Sequence, residues 1–290
     1  QNTKSGVLYH DNSYMMDAFD FLDPMMMRLL IRHTSDMVDF LLSDLKTREE
    51  NKKLSMERST LQQSKEFQLI AESRVMRELM SMAHEVAAVD TTVLLTGETG
   101  TGKGMLALWI NKNSRRSAEP FVVVDCTTIP ENLVESELFG YEKGAFTGAD
   151  KQKLGRVELA HRGTLFLDEI GEIPLHIQAK LLKTMEEKTF VRIGGGRAIS
   201  SDFRIIAATN LNLKEEVSAG RFREDLYYRL NVFPLVIAPL RKREEDIPEL
   251  SRYFLALYAK QYDRSNLSIS GKDLYQLTKY NWPGNIRELQ

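Results

Sequence analysis

The chain has 290 residues, of which 42% are hydrophobic, and this is enough to bury a full core in one large domain. Its formal net charge of −2 excludes a chain-wide electrostatic attraction to nucleic acid, although a local basic patch stays open. The single cysteine, Cys126, excludes an internal disulfide framework and favours a reducing compartment. The sequence shows neither an apolar run of membrane-spanning length nor the pattern of a signal peptide, so we expect a cytoplasmic protein.

The first 65 residues differ in composition from the rest of the chain. They are rich in Met, Leu and charge, and we expect residues 1–24 to be the remnant of an upstream regulatory domain. Residues 25–65 favour a linker helix that pairs as a coiled coil, because residues at 27, 30, 34, 37 and 41 recur at a spacing of three or four. The charged stretch Lys46–Lys53 interrupts this seam, so a solitary solvated helix is the alternative.

A glycine-rich segment between residues 97 and 103 has the context of a phosphate-binding loop. It follows the apolar run Val93–Leu95 and precedes the helical pattern Met105–Ile110. Glycines leave room for backbone N–H groups to curl around phosphate oxygens, and Lys103 would contact the β- and γ-phosphates. The general motif has Ser or Thr for Mg²⁺ at the position of Gly104, so the metal must rely on other ligands. The predicted ATP-binding residues are Gly97, Glu98, Thr99, Gly100, Thr101, Gly102, Lys103 and Gly104.

Two adjacent carboxylates, Asp168 and Glu169, follow the predicted strand Thr164–Leu167. We predict that Asp168 belongs to the Mg²⁺ shell and that Glu169 orients and deprotonates the attacking water. The alternative is that the two residues only cap the helix that follows them.

Five short apolar runs are typical of a parallel sheet that is covered on both faces, with a nucleotide at the carboxyl ends of its strands. Longer helical stretches such as Leu175–Glu187 separate them. After Pro239 the pattern changes to charged helices, which predict a small helical lid. The five predicted strands are Thr92–Leu95, Phe121–Val124, Thr164–Leu167, Arg204–Ala208 and Val232–Ile237.

From about Phe67 to Gln290 the chain resembles the AAA+ ATPase module of sigma-54-dependent transcriptional activators, also called bacterial enhancer-binding proteins. The resemblance implies an α/β fold with a parallel five-stranded sheet, an ATPase core over 66–238 and a lid over 239–290 that is truncated at its end. It rests on five motifs in order: Glu137–Gly140, Gly144–Ala149, Gly163–Glu169, Phe222–Leu230 and Trp282–Leu289.

The resemblance also implies roles for single residues. The tip of a loop that contacts sigma-54 would be formed by Gly144, Ala145, Phe146, Thr147, Gly148 and Ala149. The hexapeptide alone indicates only a glycine-rich surface turn. Arg223 and Arg229 look like arginine fingers that reach the nucleotide of a neighbouring subunit, with salt bridging within their helix as the alternative. Asn210, next to Thr209, resembles the first sensor, and Arg287 resembles the second-sensor arginine of the lid.

Two positions depart from the family pattern. Asp125 stands where a switch Asn often contacts the catalytic glutamate, and a carboxylate cannot donate a hydrogen bond unless it is protonated. Gly104 stands where the family often has Glu, so we expect a more flexible first turn of the helix.

The cofactors that the resemblance implies are ATP and Mg²⁺, and the partner is sigma-54 RNA polymerase. It implies a homo-oligomer that is a dimer through the N-terminal helix and a ring, a hexamer, when active. DNA contact is expected only through a C-terminal domain outside this chain, and residues 1–24 would be the receiver remnant of a two-component regulator. The alternatives are a nucleotide-gated interaction protein with little turnover and an AAA+ remodeller of another client.

Overall fold

The computed structural model describes residues 69–264 and 267–290. The expected regulatory remnant at 1–24 and the linker helix at 25–65 lie outside these residues and stay predictions. Within the described part, no helix is long and apolar enough to span a membrane.

The five predicted strands all form, and their bounds differ from the prediction by no more than one residue at either end. They are β1 (Val93–Thr96), β2 (Phe121–Asp125), β5 (Thr164–Asp168), β8 (Arg204–Thr209) and β9 (Phe233–Val236). They make one parallel sheet in the order β2-β5-β8-β1-β9. This order brings the ends of β5, β8 and β1 together at one edge, where the predicted site residues begin. Four short strands form two antiparallel hairpins outside the sheet: β3 (Gly140–Tyr141) with β4 (Lys153–Leu154), and β6 (Thr189–Val191) with β7 (Ala198–Ser200).

Ten α-helices surround the sheet or form the lid in the described part of the chain. The predicted helix at 175–187 is found with those bounds, whereas the first lid helix begins at Asp246, three residues before the predicted start. The helices are α1 (Arg74–Ala87), α2 (Lys103–Lys112), α3 (Glu131–Phe139), α4 (Arg156–Leu159), α5 (Leu175–Glu187), α6 (Leu213–Ser218), α7 (Glu224–Leu230), α8 (Asp246–Gln261), α9 (Gly271–Lys279) and α10 (Asn285–Leu289).

The core lies on both faces of the sheet, as continuous apolar strands require. Alternate residues of β8 belong to different clusters: Ile206 packs with α1 and α2, and Ile205 packs on the opposite face. Each such buried aliphatic side chain stabilises the fold by roughly 1.5–3 kcal/mol. The lid has its own small cluster, formed by Leu240, Ile247, Leu250 and Trp282.

Helix α1 is stabilised by hydrogen bonds at both of its ends. The Ser73 hydroxyl caps its N-terminus by accepting from the N–H of Met76 at 3.3 Å. At its C-terminus the buried guanidinium of Arg204 donates to the carbonyl oxygens of Val86 and Ala87 at 2.7 and 3.3 Å. Because Arg204 lies in β8, these last two hydrogen bonds fix the C-terminal end of α1 against the sheet.

Candidate nucleotide site and surface loop

The glycine-rich segment forms a loop between β1 and α2, as the sequence predicts. Gly100 and Gly102 have φ angles of 81° and 102°, which residues with side chains rarely adopt. Gly102 precedes the first turn of α2, and no described side chain caps that turn. The helix therefore presents unpaired N–H groups and the positive end of its dipole to the loop, which suits a phosphate.

Lys103 is the buried cation of this site. Its side chain is 6% exposed, and its ammonium group donates to the carbonyl oxygen of Gly97 at 3.0 Å. The same Nζ lies 3.1 Å from Oε1 of Glu169. Because a buried charge is costly without a partner, the carboxylate stabilises Lys103 where it is. The predicted phosphate-binding lysine and the predicted base are thus in direct contact.

Glu169 also contacts the predicted first sensor. It follows β5 directly and adopts a left-handed backbone with φ 51° and ψ 51°. Its Oε2 accepts from the backbone N–H of Asn210 at 2.9 Å, and the Asn210 amide donates to Oγ1 of Thr99 at 3.1 Å. The phosphate-binding loop, the end of β5 and the end of β8 therefore share one hydrogen-bonded network.

Asp168 is the last residue of β5 and is partly buried. Burial raises the pKa of Asp168, and repulsion from Glu169 adds to this shift, while the ammonium group of Lys103 opposes it. A cation near this carboxylate would favour its charged form. The predicted Mg²⁺ role of Asp168 stays a prediction.

Asp125 ends β2 and lies opposite Asp168 in the sheet register. Its Oδ1 accepts from the backbone N–H of Thr127 at 3.0 Å and from the Thr127 hydroxyl at 2.7 Å. In the described residues no hydrogen bond joins Asp125 to Glu169, whose two oxygens contact Lys103 and Asn210. Asp125 is thus held by its own turn, and its predicted switch role stays a prediction.

The lid contacts the phosphate-binding loop through Asn285, which is fully buried. Its amide donates to the carbonyl oxygen of Thr99 at 3.0 Å and to Oε2 of Glu98 at 3.2 Å, and its Oδ1 accepts from the N–H of Leu240 at 2.8 Å. The N–H of Ile286 donates to the carbonyl oxygen of Gly100 at 2.9 Å. The start of α10 is therefore joined to the loop by backbone and side-chain hydrogen bonds.

An ion pair supports the same joint. The guanidinium of Arg241 contacts both oxygens of Glu98, at 2.5 and 2.8 Å. This hydrogen bonding, with a smaller contribution from Asn285, lowers the pKa of Glu98 to about 2. Glu98 is therefore ionised at any physiological pH.

A buried arginine, Arg243, joins the lid, the loop and the start of α1. Arg243 is 1% exposed and donates to the carbonyl oxygen of Thr101 at 2.8 Å. Its partner carboxylate Asp246 accepts from the backbone N–H groups of Glu72 and Ser73 at 2.7 and 2.6 Å. The residue before Gly102 is thus connected to the segment that enters α1.

Arg287 lies next to the loop. A Cβ placed on Gly100 would lie 3.1 Å from the Cβ of Arg287, while the residue itself is exposed. The backbone of the predicted second-sensor arginine therefore lies beside the phosphate-binding loop.

Arg223 and Arg229 lie at the two ends of α7 and are both exposed. Arg223 forms a two-fold ion pair with Asp225, at 3.0 and 2.7 Å, whereas Arg229 has no ion pair within the described residues. The salt-bridge alternative thus describes Arg223 in this single subunit. Because the pair is exposed and screened by water, it holds Arg223 only weakly.

The hexapeptide at 144–149 is a turn at the end of the β3–β4 hairpin. The N–H of Gly144 donates to the carbonyl oxygen of Ala149 at 2.8 Å, and the N–H of Ala149 donates to that of Phe146 at 3.0 Å. Phe146 is 45% exposed, and its ring packs edge-on against Tyr141 with centroids 4.9 Å apart. The loop therefore displays an aromatic side chain at the surface.

The turn of the β6–β7 hairpin supports this loop. Arg192 contacts Glu142 at 2.5 Å and Glu158 at 2.6 Å, so it links the base of the loop to α4. A Cβ on Gly194 would lie 2.7 Å from the Cβ of Ala145. The two turns are in close contact.

The residues present fit a nucleoside triphosphate with Mg²⁺. The open N-terminus of α2 and the buried Lys103 suit phosphate oxygens, and Asp168 suits a hard cation. The described residues contain no group of three or more His, Cys, Asp or Glu side chains arranged to hold a metal ion. Mg²⁺ typically takes only one or two carboxylates and completes its shell with phosphate oxygens and water, so a site of this kind is sufficient.

The parallel sheet, the phosphate-binding loop and the docked lid define a P-loop NTPase-like AAA+ module. Residues 69–236 match the model of the sigma-54 interaction domain, and residues 241–290 match that of an AAA+ ATPase lid domain. The chain belongs to the family of sigma-54-dependent activators, as its sequence motifs predict.

The relatives of this chain are regulators. The Nif-specific regulatory protein of Klebsiella pneumoniae is 51% identical over 222 residues, which cover 77% of this chain and 42% of that protein. The regulatory protein AtoC of Escherichia coli (strain K12) is 49% identical over 221 residues, which cover 76% of this chain and 48% of that protein. The chain thus spans less than half the length of both.

Solved structures agree with this relationship. NtrX from Brucella abortus in complex with ATP has a TM-score of 0.72 and 36% identity, covering 83% of this chain and 54% of that chain. An ADP complex of the same protein has a TM-score of 0.73. The AAA+ fold is therefore confirmed.

Several residues at the site were not predicted from the sequence. Three lid residues contact the phosphate-binding loop although they lie more than 140 positions away from it along the chain: Arg241, Arg243 and Asn285. Arg192 supports the surface loop. The charged pattern after Pro239 and the motif Trp282–Leu289 do indicate polar residues in the lid. Nothing in their spacing shows which of them reach the loop.

Proposed function

We propose that the chain hydrolyses ATP in a ring of identical subunits and uses the hydrolysis to drive the loop at 144–149 against sigma-54. This would remodel sigma-54 RNA polymerase at promoters and activate transcription. The observation that carries the proposal is the simultaneous contact of Glu169 with Lys103 and with the N–H of Asn210. The base, the phosphate-binding cation and the sensor then form one unit that nucleotide binding must rearrange.

Each residue has a definite part in this proposal. ATP would lie with its terminal phosphates at the N-terminus of α2, where Lys103 exchanges its contact with Glu169 for phosphate oxygens. Glu169, then free of Lys103, would accept a proton from the water that attacks the γ-phosphorus, and ADP leaves. Mg²⁺, held at Asp168, would neutralise charge on the phosphates. Arg223 and Arg229 of a neighbouring subunit would stabilise the charge of the transition state.

The surface loop is the proposed contact with sigma-54. Phe146 is 45% exposed on a turn whose glycines tolerate backbone change, so it can be presented to a partner and withdrawn. The ATP and ADP complexes of the related NtrX support a nucleotide site in this fold.

The first test is ATP turnover per subunit across a wide range of protein concentration, with Lys103→Ala as the blank. We expect turnover to rise steeply with concentration, because each site needs arginines from a neighbour. A rate that stays at the blank level would instead support a nucleotide-gated interaction protein.

The second test separates the loop from the catalysis. Phe146→Ala should keep ATP turnover and lose binding of purified sigma-54 in the presence of a non-hydrolysable ATP analogue. Leu159→Ala is the matched control, because Leu159 is 44% exposed and lies in α4. Equal loss of binding in both variants would contradict the assignment of the loop.

A further inference from the structure

Gln178 is a fully buried amide in the first part of α5 whose hydrogen bonds converge on the segment before Arg223. Its Nε2 donates to the carbonyl oxygen of Arg221 at 3.1 Å and to that of Ile173 at 2.9 Å. Its Oε1 accepts from the backbone N–H of Arg223 at 2.8 Å. The opposite orientation of the amide would place its oxygen against two carbonyl oxygens, so this network permits only one arrangement.

These hydrogen bonds fix the backbone on both sides of Phe222, which is itself 2% exposed in the core. Arg223 precedes the first turn of α7, where the Asp225 carboxylate accepts from the backbone N–H of Leu226 at 2.7 Å. Among the described residues, the guanidinium of Arg223 forms hydrogen bonds only with the exposed carboxylate of Asp225. The direction in which Arg223 leaves the surface is therefore determined by the backbone that Gln178 holds.

The same amide also contacts the segment that follows Glu169 in its own subunit. Ile173 closes the short 3₁₀ turn Ile170–Glu172, which directly follows Glu169. Gln178 thus has two possible routes to ATP turnover: through Glu169 of its own subunit, or through Arg223 and the site of a neighbour. Two of its three hydrogen bonds go to residues 221 and 223, which favours the second route.

We propose that Gln178 is a positioning residue for Arg223 and acts through it on the nucleotide site of a neighbouring subunit. This inference rests on the proposed function, in which Arg223 works in trans. Gln178 itself touches neither nucleotide nor reacting atoms. Replacing it should misdirect Arg223 while leaving the ATP site of the same subunit able to work.

The first measurement uses Gln178→Met, which is close in size and removes all three hydrogen bonds. ATP turnover should fall roughly 10- to 100-fold, as expected for a catalytic group that is displaced by about 1 Å. Affinity for a fluorescent ATP analogue should change by less than about twofold, because the residues that bind nucleotide are untouched. Thr184→Val is the matched control: it removes a buried hydrogen bond within the same helix, from the Thr184 hydroxyl to the carbonyl oxygen of Lys180, and should keep normal turnover.

The decisive measurement mixes subunits. Lys103→Ala subunits have a dead ATP site and an intact Arg223, so they can supply a correctly placed arginine to a Gln178→Met neighbour. A 1:1 mixture should therefore regain turnover, at least about fivefold above either variant alone. A residue needed only for the fold, or for Glu169 of its own subunit, would give no such recovery.

A parallel mixture of Arg223→Ala with Lys103→Ala tests separately whether Arg223 acts on the site of a neighbouring subunit. If that mixture recovers turnover and the Gln178→Met mixture does not, Gln178 acts within its own subunit and the inference is wrong. If neither mixture recovers, Arg223 does not act in trans and the proposed ring mechanism fails with it. Normal turnover of Gln178→Met alone would also overturn the inference. Should that variant lose its cooperative unfolding transition, Gln178→Leu takes its place in the same mixtures, since it removes the same three hydrogen bonds and places no charge against the two carbonyl oxygens.

Discussion

The phosphate-binding loop and the loop at 144–149 both depend on glycine, but for different physical reasons. A Cβ on Gly100 would lie 2.4 Å from the carbonyl oxygen of Gly284, and one on Gly97 would lie 2.8 Å from that of Ile237. Gly144 and Gly148 have φ angles of 82° and 95°, and a Cβ on either would have no neighbouring atom within 4 Å. In the first loop glycine allows neighbouring backbone to approach in addition to allowing positive φ angles, whereas in the second it allows an unusual conformation in open space.

This difference indicates how the two regions work. The phosphate-binding loop is in contact with the lid on one side and with the ends of two strands on the other, so a nucleotide bound there would act on several elements at once. The surface loop is held at its base by Arg192, and Gly194 approaches Ala145 near the start of the hexapeptide. A change at the base can therefore move the tip without crossing a packed core.

The largest expected effect tests the crowding of the first loop. Gly100→Ala should destabilise the protein by several kcal/mol and abolish nucleotide binding, because the new methyl group would overlap the carbonyl oxygen of Gly284 and displace the lid. Gly144→Ala is the matched control, since its φ of 82° is nearly equal to the 81° of Gly100. It should cost only about 1–2 kcal/mol of backbone strain. Thermal unfolding measures the stability of the two variants, and nucleotide titration measures their affinity. Equal losses in Gly100→Ala and Gly144→Ala would contradict the view that only Gly100 is crowded.

A smaller effect is expected where the two surface turns touch. Gly194→Ala would bring a methyl group to 2.7 Å from the Cβ of Ala145, and the loop at 144–149 must shift. ATP turnover should stay within about twofold, because the site is untouched, while sigma-54 binding falls by about tenfold or more. Gly220→Ala has the same φ of 71° and open space around it, so it controls for backbone strain alone. Normal sigma-54 binding by Gly194→Ala would separate the two turns functionally.

The strands and the phosphate-binding loop are predicted from the sequence better than the contacts between the loop and the lid. The strands agree with the prediction to within one residue because short apolar runs of this kind are typical of a parallel sheet, and the phosphate-binding loop follows from local spacing. The lid contacts of Asn285 and Arg243 do not follow from the sequence, because their partners lie far away along the chain and depend on how the lid docks. The proposed role of Gln178 does not follow from the sequence either, because its partners Arg221 and Arg223 lie far away along the chain. The sequence alone shows only a polar residue in an amphipathic helix.

The ion pair between lid and loop provides a test with a still smaller effect. The pKa of Glu98 is lowered to about 2, chiefly by hydrogen bonds from Arg241, so the stabilisation is present above the ordinary pKa of 4.5 and is lost as the pH falls toward 2. The melting temperature of the wild type should exceed that of Glu98→Gln by a constant amount between pH 7 and about pH 5, and the difference should shrink below about pH 4.5. The effect should be modest, because both side chains are more than 40% exposed.

Arg241→Gln tests whether this pH dependence belongs to the pair. In that background Glu98 has lost the donor that chiefly lowers its pKa, so adding Glu98→Gln should have little further effect on the melting temperature at any pH. A pH dependence that survives in full would assign it to another group.

The smallest expected effect concerns the one glycine of the loop region that neither crowding nor conformation requires. A Cβ on Gly104 would lie 3.8 Å from the ring of Phe166, which is ordinary van der Waals contact, and its φ is not positive. Gly104→Ala should therefore stabilise the protein by up to about 1 kcal/mol, because alanine loses less backbone entropy in a helix. Gly271→Ala, at the start of α9 with open space around it, should give a similar gain in unfolding free energy. If Gly104→Ala alone destabilises the protein or slows ATP turnover, the flexibility of the first turn of α2 is part of the mechanism, and the division between crowded and free glycines is incomplete.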